Sequence, residues 1–216
     1  MEFLLKTLDF FIHLDKQVEF IASEYGILTY AILFLIIFLE TGVVVTPFLP
    51  GDSLLFVAGT IAAIDSFNIV FLFVLMTAAA ILGDSLNYFI GDYVGNKIIN
   101  KSWIKKEYLE KTERFYEKHG NKTIVLARFV PIVRTFAPFI AGIGKMKYAN
   151  FLFYNIIGGI IWTSLFIFSG FFFGNIPIVK DNLTIVLLLI ITASILPGVY
   201  EFIKDRLSKN KKLPLK

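Results

Sequence analysis

The sequence has no cysteine and only two histidines among its 216 residues. Without cysteine the chain has no disulfide, no thiol nucleophile and no thiolate metal ligand. His13 and His119 both lie in charged segments, away from the apolar stretches. A histidine-based catalytic site and a metal site are therefore poorly supported. We predict no catalytic residue, no metal and no cofactor, in a protein that is not an enzyme.

Charged residues are also scarce. They make up 18% of the chain, whereas 56% of the residues are apolar and 16% are aromatic. This composition is typical of a membrane protein and unlike that of an ordinary soluble domain. At about 20 residues per helical span, the length allows roughly four to six membrane segments in one domain. We therefore predict an all-α polytopic membrane protein.

Four stretches are apolar enough to span a bilayer, and we predict about four transmembrane helices. They are residues 26–45, 67–94, 149–173 and 183–200. Two further apolar stretches are interrupted by proline and glycine, over residues 46–64 and 123–144. Prolines interrupt helical hydrogen bonding, so neither of these two stretches reads as a simple spanning helix.

The net charge of +4 is concentrated in two segments of the chain. Residues 201–216 carry six basic and two acidic side chains, and residues 101–122 carry seven basic and four acidic ones. Basic segments beside membrane helices favour the cytoplasm, and this explanation is preferred to nucleic-acid binding. We predict no nucleic-acid partner, and both segments are placed inside.

This orientation makes both broken stretches re-entrant. With both basic segments inside, residues 123–144 enter and leave on the cytoplasmic side, and residues 46–64 enter and leave on the outside. Both termini are then cytoplasmic. The competing topology, in which each broken stretch spans once, places either residues 101–122 or Lys145 and Lys147 outside.

Two short segments of the first half resemble segments of the second half. Residues 55–59 (LFVAG) resemble residues 138–142 (PFIAG), and residues 91–96 (GDYVGN) resemble residues 170–175 (GFFFGN). Re-entrant hairpins that enter from opposite faces meet near the midplane, as in inverted-repeat transporters. We therefore predict two facing re-entrant helical hairpins in an inverted repeat.

The predicted organisation has three parts. An N-terminal amphipathic interfacial helix, which is not a signal peptide because it carries several acidic residues, precedes a membrane domain and a basic cytoplasmic tail. These parts are residues 1–24, 25–200 and 201–216. The membrane domain consists of a first half, a basic cytoplasmic loop or helix and a second half, over residues 25–96, 97–122 and 123–200.

Four charged residues lie within otherwise apolar stretches. Glu40 lies in the first span, Asp52 follows Pro50-Gly51, and Arg128 and Arg134 lie on either side of Pro131. A charge at bilayer depth is costly and is a functional candidate by default. One interpretation is that these residues only neutralise one another. We favour pairs that form in the empty state and exchange for an anionic ligand, because guanidinium matches phosphate bidentately.

The acids outnumber the arginines. Glu40, Asp52 and Asp84 stand against Arg128 and Arg134, which leaves one carboxylate in excess. Arginine effectively never loses its proton, so the acids are the candidates for proton coupling. Thr135 and Asn155 are secondary candidates for lining the cavity. Helix packing is the favoured interpretation of the small residues near Asn155, at 158 and 159.

These motifs resemble three sequence blocks of the DedA family of membrane proteins, over about residues 30–175. The resemblance is carried by Glu40-Thr41, Pro47-x-x-Pro50-Gly51-Asp52 and Ala58-Gly59, then by Gly83-Asp84-x-x-x-Tyr88-x-x-Gly91, then by Arg128-Phe129-x-Pro131-x-x-Arg134-Thr135-x-x-Pro138-x-x-Ala141-Gly142 with Met146, Phe151, Asn155, Gly158 and Trp162. Asp92 departs from the pattern, because many members have a basic residue there.

The resemblance implies two facing re-entrant hairpins and a place among lipid transporters and scramblases of the bacterial cytoplasmic membrane. The implied substrates are undecaprenyl phosphate or a phospholipid such as phosphatidylethanolamine. The implied site residues are Glu40, Asp52, Arg128 and Arg134.

A lipid flippase, with phosphate-bearing membrane lipids as its partners, is the leading hypothesis for function. A proton- or cation-coupled exporter of small solutes and a non-transporting assembly factor are the alternatives. An intramembrane lipid enzyme has few candidate residues, and a homo-oligomer is left open.

Overall fold

The structure, a computed structural model, describes residues 24–43, 51–63, 67–100, 106–174, 176–182, 185–186 and 189–190. Within these residues all regular structure is helical and no strand occurs. The prediction of an all-α chain is thus confirmed for this part of the protein. The predicted N-terminal helix, apart from Glu24, and the basic tail lie outside the described residues.

The described part of the chain forms eight α-helices, with a single 3₁₀ turn, Gly120–Lys122, before the fifth. In chain order they are α1 (Leu28–Gly42), α2 (Gly51–Ala62), α3 (Ile69–Asn100), α4 (Lys106–His119), α5 (Thr123–Ala127), α6 (Pro131–Ile143), α7 (Tyr148–Phe173) and α8 (Pro177–Asp181). The main apolar core lies where α1, α2, α3 and α7 meet, with Trp162, Ile37, Leu55 and Met76 among its largest buried side chains.

Two of the four predicted spans are long apolar helices. Ile69–Tyr93 within α3 and Tyr148–Phe173, the whole of α7, are long and apolar enough to cross a membrane by length and composition. The first predicted span contains α1, which has 15 residues. The fourth predicted span lies outside the described residues except for 185–186 and 189–190.

The second broken stretch is interrupted between α5 and α6. Helix α5 ends at Ala127 with Arg128 as its C-cap, Val130 is extended (φ −125°, ψ 103°), and α6 starts at Pro131. Proline is well suited to the first helical position, because its fixed φ matches the helix and its missing N–H is not needed there. The two predicted arginines therefore lie on either side of a break in the helix, Arg128 at the C-cap of α5 and Arg134 within α6.

The glycines of the two internally similar segment pairs form two helix crossings. At the first crossing α2 packs on α7: a side chain on Gly59 would overlap the carbonyl of Ile167, and one on Gly170 would overlap the carbonyl of Phe56. Each glycine thus lies against the backbone three residues before the other glycine. Close approach of this kind requires small residues at the contact.

The second crossing repeats this arrangement between α6 and α3. A side chain on Gly142 would overlap the carbonyl of Tyr88, and one on Gly91 would overlap the carbonyl of Phe139. The glycines are again matched with the residue three positions before the other glycine. The two similar segment pairs of the sequence therefore make equivalent contacts, each joining a short helix of one half to a long helix of the other.

Candidate functional site

The predicted charged residues form two clusters. We call the first the Arg134 cluster; it contains Arg134, Glu40, Asp52 and Trp162. We call the second the Arg128 cluster; it contains Arg128, Asp84 and Asn155. The sequence groups Arg128 and Arg134 together, whereas the structure gives each arginine its own acidic partners.

In the Arg134 cluster a single guanidinium contacts two carboxylates. Arg134 Nη2 lies 3.3 Å from Glu40 Oε1, and Arg134 Nη1 donates to Asp52 Oδ1 at 3.2 Å. The three side chains are 14%, 8% and 17% exposed for Arg134, Glu40 and Asp52 respectively. The cluster therefore retains limited access, and it holds two acids against one base.

Three short elements bring these charges together. Glu40 lies near the C-terminal end of α1, Asp52 lies in the first turn of α2, and Arg134 lies in the first turn of α6. An acid in the first turn of a helix is favoured by the helix dipole. Gly51, which precedes Asp52, allows the close approach of Glu40, because a side chain at that position would overlap the Glu40 carboxylate and displace it.

Trp162 joins this cluster from α7. Its Nε1–H donates to Asp52 Oδ1 at 2.8 Å, and the guanidinium carbon of Arg134 lies 4.2 Å from the centroid of its ring. Arg128 lies farther from the same ring, at 5.8 Å. The indole is thus the side chain that both arginines approach.

The Arg128 cluster is more deeply buried. Arg128 Nη2 donates to Asp84 Oδ2 at 2.5 Å and to Asn155 Oδ1 at 2.6 Å, and the Arg128 and Asp84 side chains are 2% and 6% exposed. Asn155 Nδ2 donates in turn to the carbonyl of Ile81 at 3.0 Å. The predicted acid Asp84, in α3, is thus paired with an arginine that lies between α5 and α6.

The small residues near Asn155 make room for Arg128. A side chain at Gly158 would lie 3.1 Å from both Cδ and Nε of Arg128, and one at Gly159 would lie 3.7 Å from its Nη2. These glycines also lie close to α5 and α3, through Val125 and Ile81. The prediction of helix packing at these positions is therefore incomplete, because the same glycines accommodate a charged side chain.

The sequence did not point to Asn87, which links α1 and α6. It is fully buried in α3, and its Nδ2 donates to the carbonyls of Thr41 at 3.3 Å and Thr135 at 2.9 Å. Thr135 itself is buried, and its backbone carbonyl is the group that accepts from Asn87. Asn87 follows Asp84 by three residues, so the two share a helix face, which is the signal the sequence offered.

Several buried polar atoms of this region have no hydrogen-bond partner. Among the described residues these atoms are Glu40 Oε2, Ser53 Oγ, Asn87 Oδ1, Arg128 Nε and Nη1, and Arg134 Nη2. Buried polar atoms are normally satisfied, so a group of unsatisfied ones within one region leaves capacity for a polar ligand or for water. Within the same residues no group of three or more His, Cys, Asp or Glu side chains is arranged to hold a metal ion.

Comparison with known proteins identifies the family. The VTT domain model matches residues 49–172. Protein DedA of Escherichia coli (strain K12) is 53% identical over 211 residues, which cover 95% of this chain and 96% of that protein. An uncharacterized membrane protein of Mycobacterium leprae (strain TN) is 41% identical over 167 residues, covering 76% of this chain and 75% of the relative.

A further relative is named as an inner membrane protein. It is YqjA of Escherichia coli (strain K12), which is 34% identical over 159 residues and covered over 72% of each chain. No solved structure matches the chain. The names of these relatives are consistent with a bacterial inner membrane location. Both the domain match and the extent of the identity show that this chain belongs to the DedA family of membrane proteins.

Proposed function

We propose that this protein moves a phosphate-bearing lipid between the leaflets of the bacterial cytoplasmic membrane, with Arg134 as the headgroup site. The observation that carries this proposal is the Arg134 side chain, which is 14% exposed and whose guanidinium is held by carboxylates from α1 and α2. A phosphate group competes for the same N–H donors, because it matches guanidinium bidentately. Undecaprenyl phosphate and a phospholipid such as phosphatidylethanolamine are the substrates we favour, with the lipid tail remaining in the bilayer.

The proposed architecture has four spans and two facing re-entrant hairpins related by an inverted repeat. Helices α2 and α6 have 12 and 13 residues. At about 1.5 Å of rise per residue they are too short to cross a hydrocarbon core of about 30 Å. The two equivalent glycine crossings support the repeat, since each ties a short helix of one half to a long helix of the other. Both termini are placed in the cytoplasm by the basic segments.

We also propose that lipid movement is coupled to protons, because of the charges in the Arg134 cluster. Two carboxylates share one guanidinium there, and an arriving phosphate releases at least one of them. A released carboxylate inside the membrane is costly unless it takes up a proton. We propose Glu40 and Asp52 as the first candidates for that proton, and Asp84 as the next. Lipid movement that is indifferent to a pH gradient of either sign would contradict the coupling.

Translocation in proteoliposomes tests the lipid proposal. Wild type and Arg134→Ala are compared for movement of undecaprenyl phosphate and of phosphatidylethanolamine, after size-exclusion profiles and thermal unfolding show that both are folded. Arg114→Ala is the matched control, because it removes the same charge from an exposed position on α4. We expect at least one lipid to cross with wild type and with the control, and not with Arg134→Ala. Equal movement by all three proteins would contradict the proposed site.

A proton- or cation-coupled exporter of small solutes is the second candidate. The observation in its favour is the excess of carboxylates over guanidinium in the Arg134 cluster, which suits a cation or a proton. The same proteoliposomes separate the two candidates. If wild type moves no phosphate-bearing lipid under a pH gradient of either sign, but moves a cationic solute, the exporter takes precedence.

A further inference from the structure

Trp162 contacts both members of the Arg134–Asp52 ion pair from a third helix. It is completely buried in α7, and its Nε1–H donates to Asp52 Oδ1. This is the same oxygen that accepts from Arg134 Nη1. The Arg134 guanidinium carbon lies 4.2 Å from the ring centroid, well within the range of a cation–π contact. The indole thus contacts Asp52 through its N–H and Arg134 through its ring.

We propose that Trp162 is the positioning residue of the headgroup site, holding Arg134 by its ring and Asp52 by its N–H while a phosphate replaces the carboxylate at the guanidinium. The inference rests on the proposed function of the same site. It adds a residue to which neither the sequence motifs nor the charges assign a role, and it explains how the pair can open without losing its geometry.

The two contacts do not compete with a phosphate. The N–H groups of a guanidinium point outward in its plane. A cation–π contact depends instead on the attraction between the positive charge of the guanidinium and the ring, and it does not use up these donors. Attraction to the ring therefore leaves in-plane donors for the oxygen atoms of a carboxylate or a phosphate. Arg134 keeps this contact in both states, so its position does not depend on the acid that it releases.

The N–H contact matters for the acid. A carboxylate in a largely buried cluster is destabilised when it loses a charged donor, and each donor that it keeps reduces that cost. When a phosphate occupies Arg134, Asp52 still accepts from the indole. Glu40 differs, because its Oε2 has no hydrogen-bond partner and its Oε1 faces Arg134 Nη2. The indole thus makes the exchange less costly on the Asp52 side of the guanidinium.

The alternative is that Trp162 only fills the core that α1, α2, α3 and α7 share. Truncation to alanine does not separate the two roles, because a cavity of that size destabilises the protein by itself. Replacement of Trp162 by 3-benzothienylalanine keeps the shape and exchanges the N–H for sulfur. Ring fluorination keeps the N–H and weakens the attraction for a cation. Neither change leaves a large cavity.

The chain offers a convenient background for these replacements. It contains two tryptophans, Trp103 and Trp162. Trp103→Phe therefore leaves Trp162 as the single tryptophan emitter and the single site of fluorotryptophan incorporation. Its lipid movement and thermal unfolding are measured first and serve as the reference for every later comparison.

The first experiment follows Trp162 emission in detergent while a short-chain phosphatidic acid is added, with the matching diacylglycerol as the phosphate-free probe. We expect a saturable change with the phosphatidic acid, none with the diacylglycerol, and none when Arg134→Ala is added to the background. An emission change that is the same for both probes, or that persists without Arg134, would overturn the inference.

The second experiment measures the concentration dependence of lipid movement. Successive ring fluorination is expected to weaken apparent affinity for the phosphate-bearing lipid, by roughly 3- to 30-fold over the series, as cation–π energies imply. The benzothienyl variant is expected to lower the maximal rate, with thermal unfolding close to the reference. Rates and affinities that follow unfolding temperature alone would assign Trp162 to packing.

The outcomes of the two proposals are distinguishable. If phosphate-bearing lipids bind and move in an Arg134-dependent way, but neither replacement of Trp162 changes affinity or rate, the headgroup site stands and the role of Trp162 is refuted. If the reference protein neither binds nor moves any phosphate-bearing lipid, both proposals fail together.

Discussion

Arg128 and Asp84 form an ion pair that is almost completely buried, with 2.5 Å between Nη2 and Oδ2. Arg134, six residues later, instead shares its guanidinium between Glu40 and Asp52 in a cluster that retains some exposure. The same residue types thus occur in two environments within one site. Because the cost of an unpaired charge rises with burial, substitutions in the two clusters have different consequences.

Removal of one charge from the Arg128 pair is expected to destabilise the protein strongly. Asp84→Asn leaves Arg128 buried without a counter-charge, at a cost of about 3–5 kcal/mol in the free energy of unfolding. Combining Asp84→Leu with Arg128→Met removes both charges and keeps apolar volume, so it is expected to recover most of that loss. Unfolding by denaturant in detergent micelles measures both.

A second ion pair provides the control. Lys145 Nζ lies 2.6 Å from Asp92 Oδ1, and the Lys145 side chain is 69% exposed. Asp92→Asn is therefore expected to cost less than about 1 kcal/mol, as for other surface pairs. If the Asp84→Asn variant were no less stable than the Asp92→Asn variant, the Arg128 cluster would not be a buried ion pair in the membrane-embedded protein.

Glu40 and Asp52 are expected to respond differently to neutralisation. Glu40→Gln leaves one acid for the one guanidinium, so no buried charge loses its counter-charge and the variant should be less destabilised than Asp84→Asn. Asp52→Asn changes the oxygen that accepts from both Arg134 and Trp162, and should cost about 1–3 kcal/mol. Lipid movement by Glu40→Gln is expected to lose its response to a pH gradient, measured in proteoliposomes with and without the gradient. If only Asp52→Asn loses that response, the coupled proton is carried by Asp52 and not by Glu40.

The charged positions and the long helices could be predicted from the sequence for a simple physical reason. Charges and prolines are conspicuous in apolar stretches, and α3 and α7 are long uninterrupted apolar segments. The pairing of Arg128 with Asp84 could not be predicted, because it depends on how α3 and α7 are placed against the break before α6. Local spacing carries no information about that placement.

The roles of Trp162 and Asn87 were hidden for a related reason. Both residues are compatible with an apolar helix face, and a buried indole or amide becomes informative only when its partner is known. Trp162 finds its partner in α2, and Asn87 finds its partners in α1 and α6. These contacts join elements that are distant in sequence, so no pattern within α3 or α7 identifies the partner residues.

A hydrogen bond from the hydroxyl of Tyr116 links α4 to α6. The hydroxyl donates to the carbonyl of Ala137 at 2.9 Å, and burial raises the pKa of the Tyr116 phenol above its ordinary value of about 10. Because the folded-state pKa is raised, the stabilisation is complete below pH 10 and declines as pH rises beyond it. Tyr116→Phe is expected to lose about 1 kcal/mol at neutral pH, and its stability should approach that of wild type above about pH 10.

Thermal unfolding between pH 7 and pH 11 checks this expectation. Tyr93→Phe is the matched control, because Tyr93 is exposed and lies at the end of the apolar part of α3. The control should leave both the stability at neutral pH and its dependence on alkaline pH as they are in wild type. A gap between Tyr116→Phe and wild type that stays constant up to pH 11 would contradict the shift in the phenol.

The two glycine crossings should be equally intolerant of alanine. A methyl group at Gly59, Gly170, Gly91 or Gly142 would overlap a backbone carbonyl of the facing helix, which cannot move aside as a flexible side chain does. We expect each substitution to cost about 1–3 kcal/mol or more, as in other overpacked interfaces, and to lower the unfolding temperature in detergent.

Comparison of the crossings with one another tests the inverted repeat. Gly144→Ala is the control, because its nearest contact is a carbonyl of its own helix region at 3.2 Å, and we expect it to cost less than about 1 kcal/mol. If the halves are related as proposed, Gly59→Ala and Gly142→Ala reduce stability by similar amounts, because each blocks the equivalent contact of a short helix with a long one. If one substitution is tolerated and the other is not, the equivalence of the two crossings fails, and the inverted repeat loses its structural support.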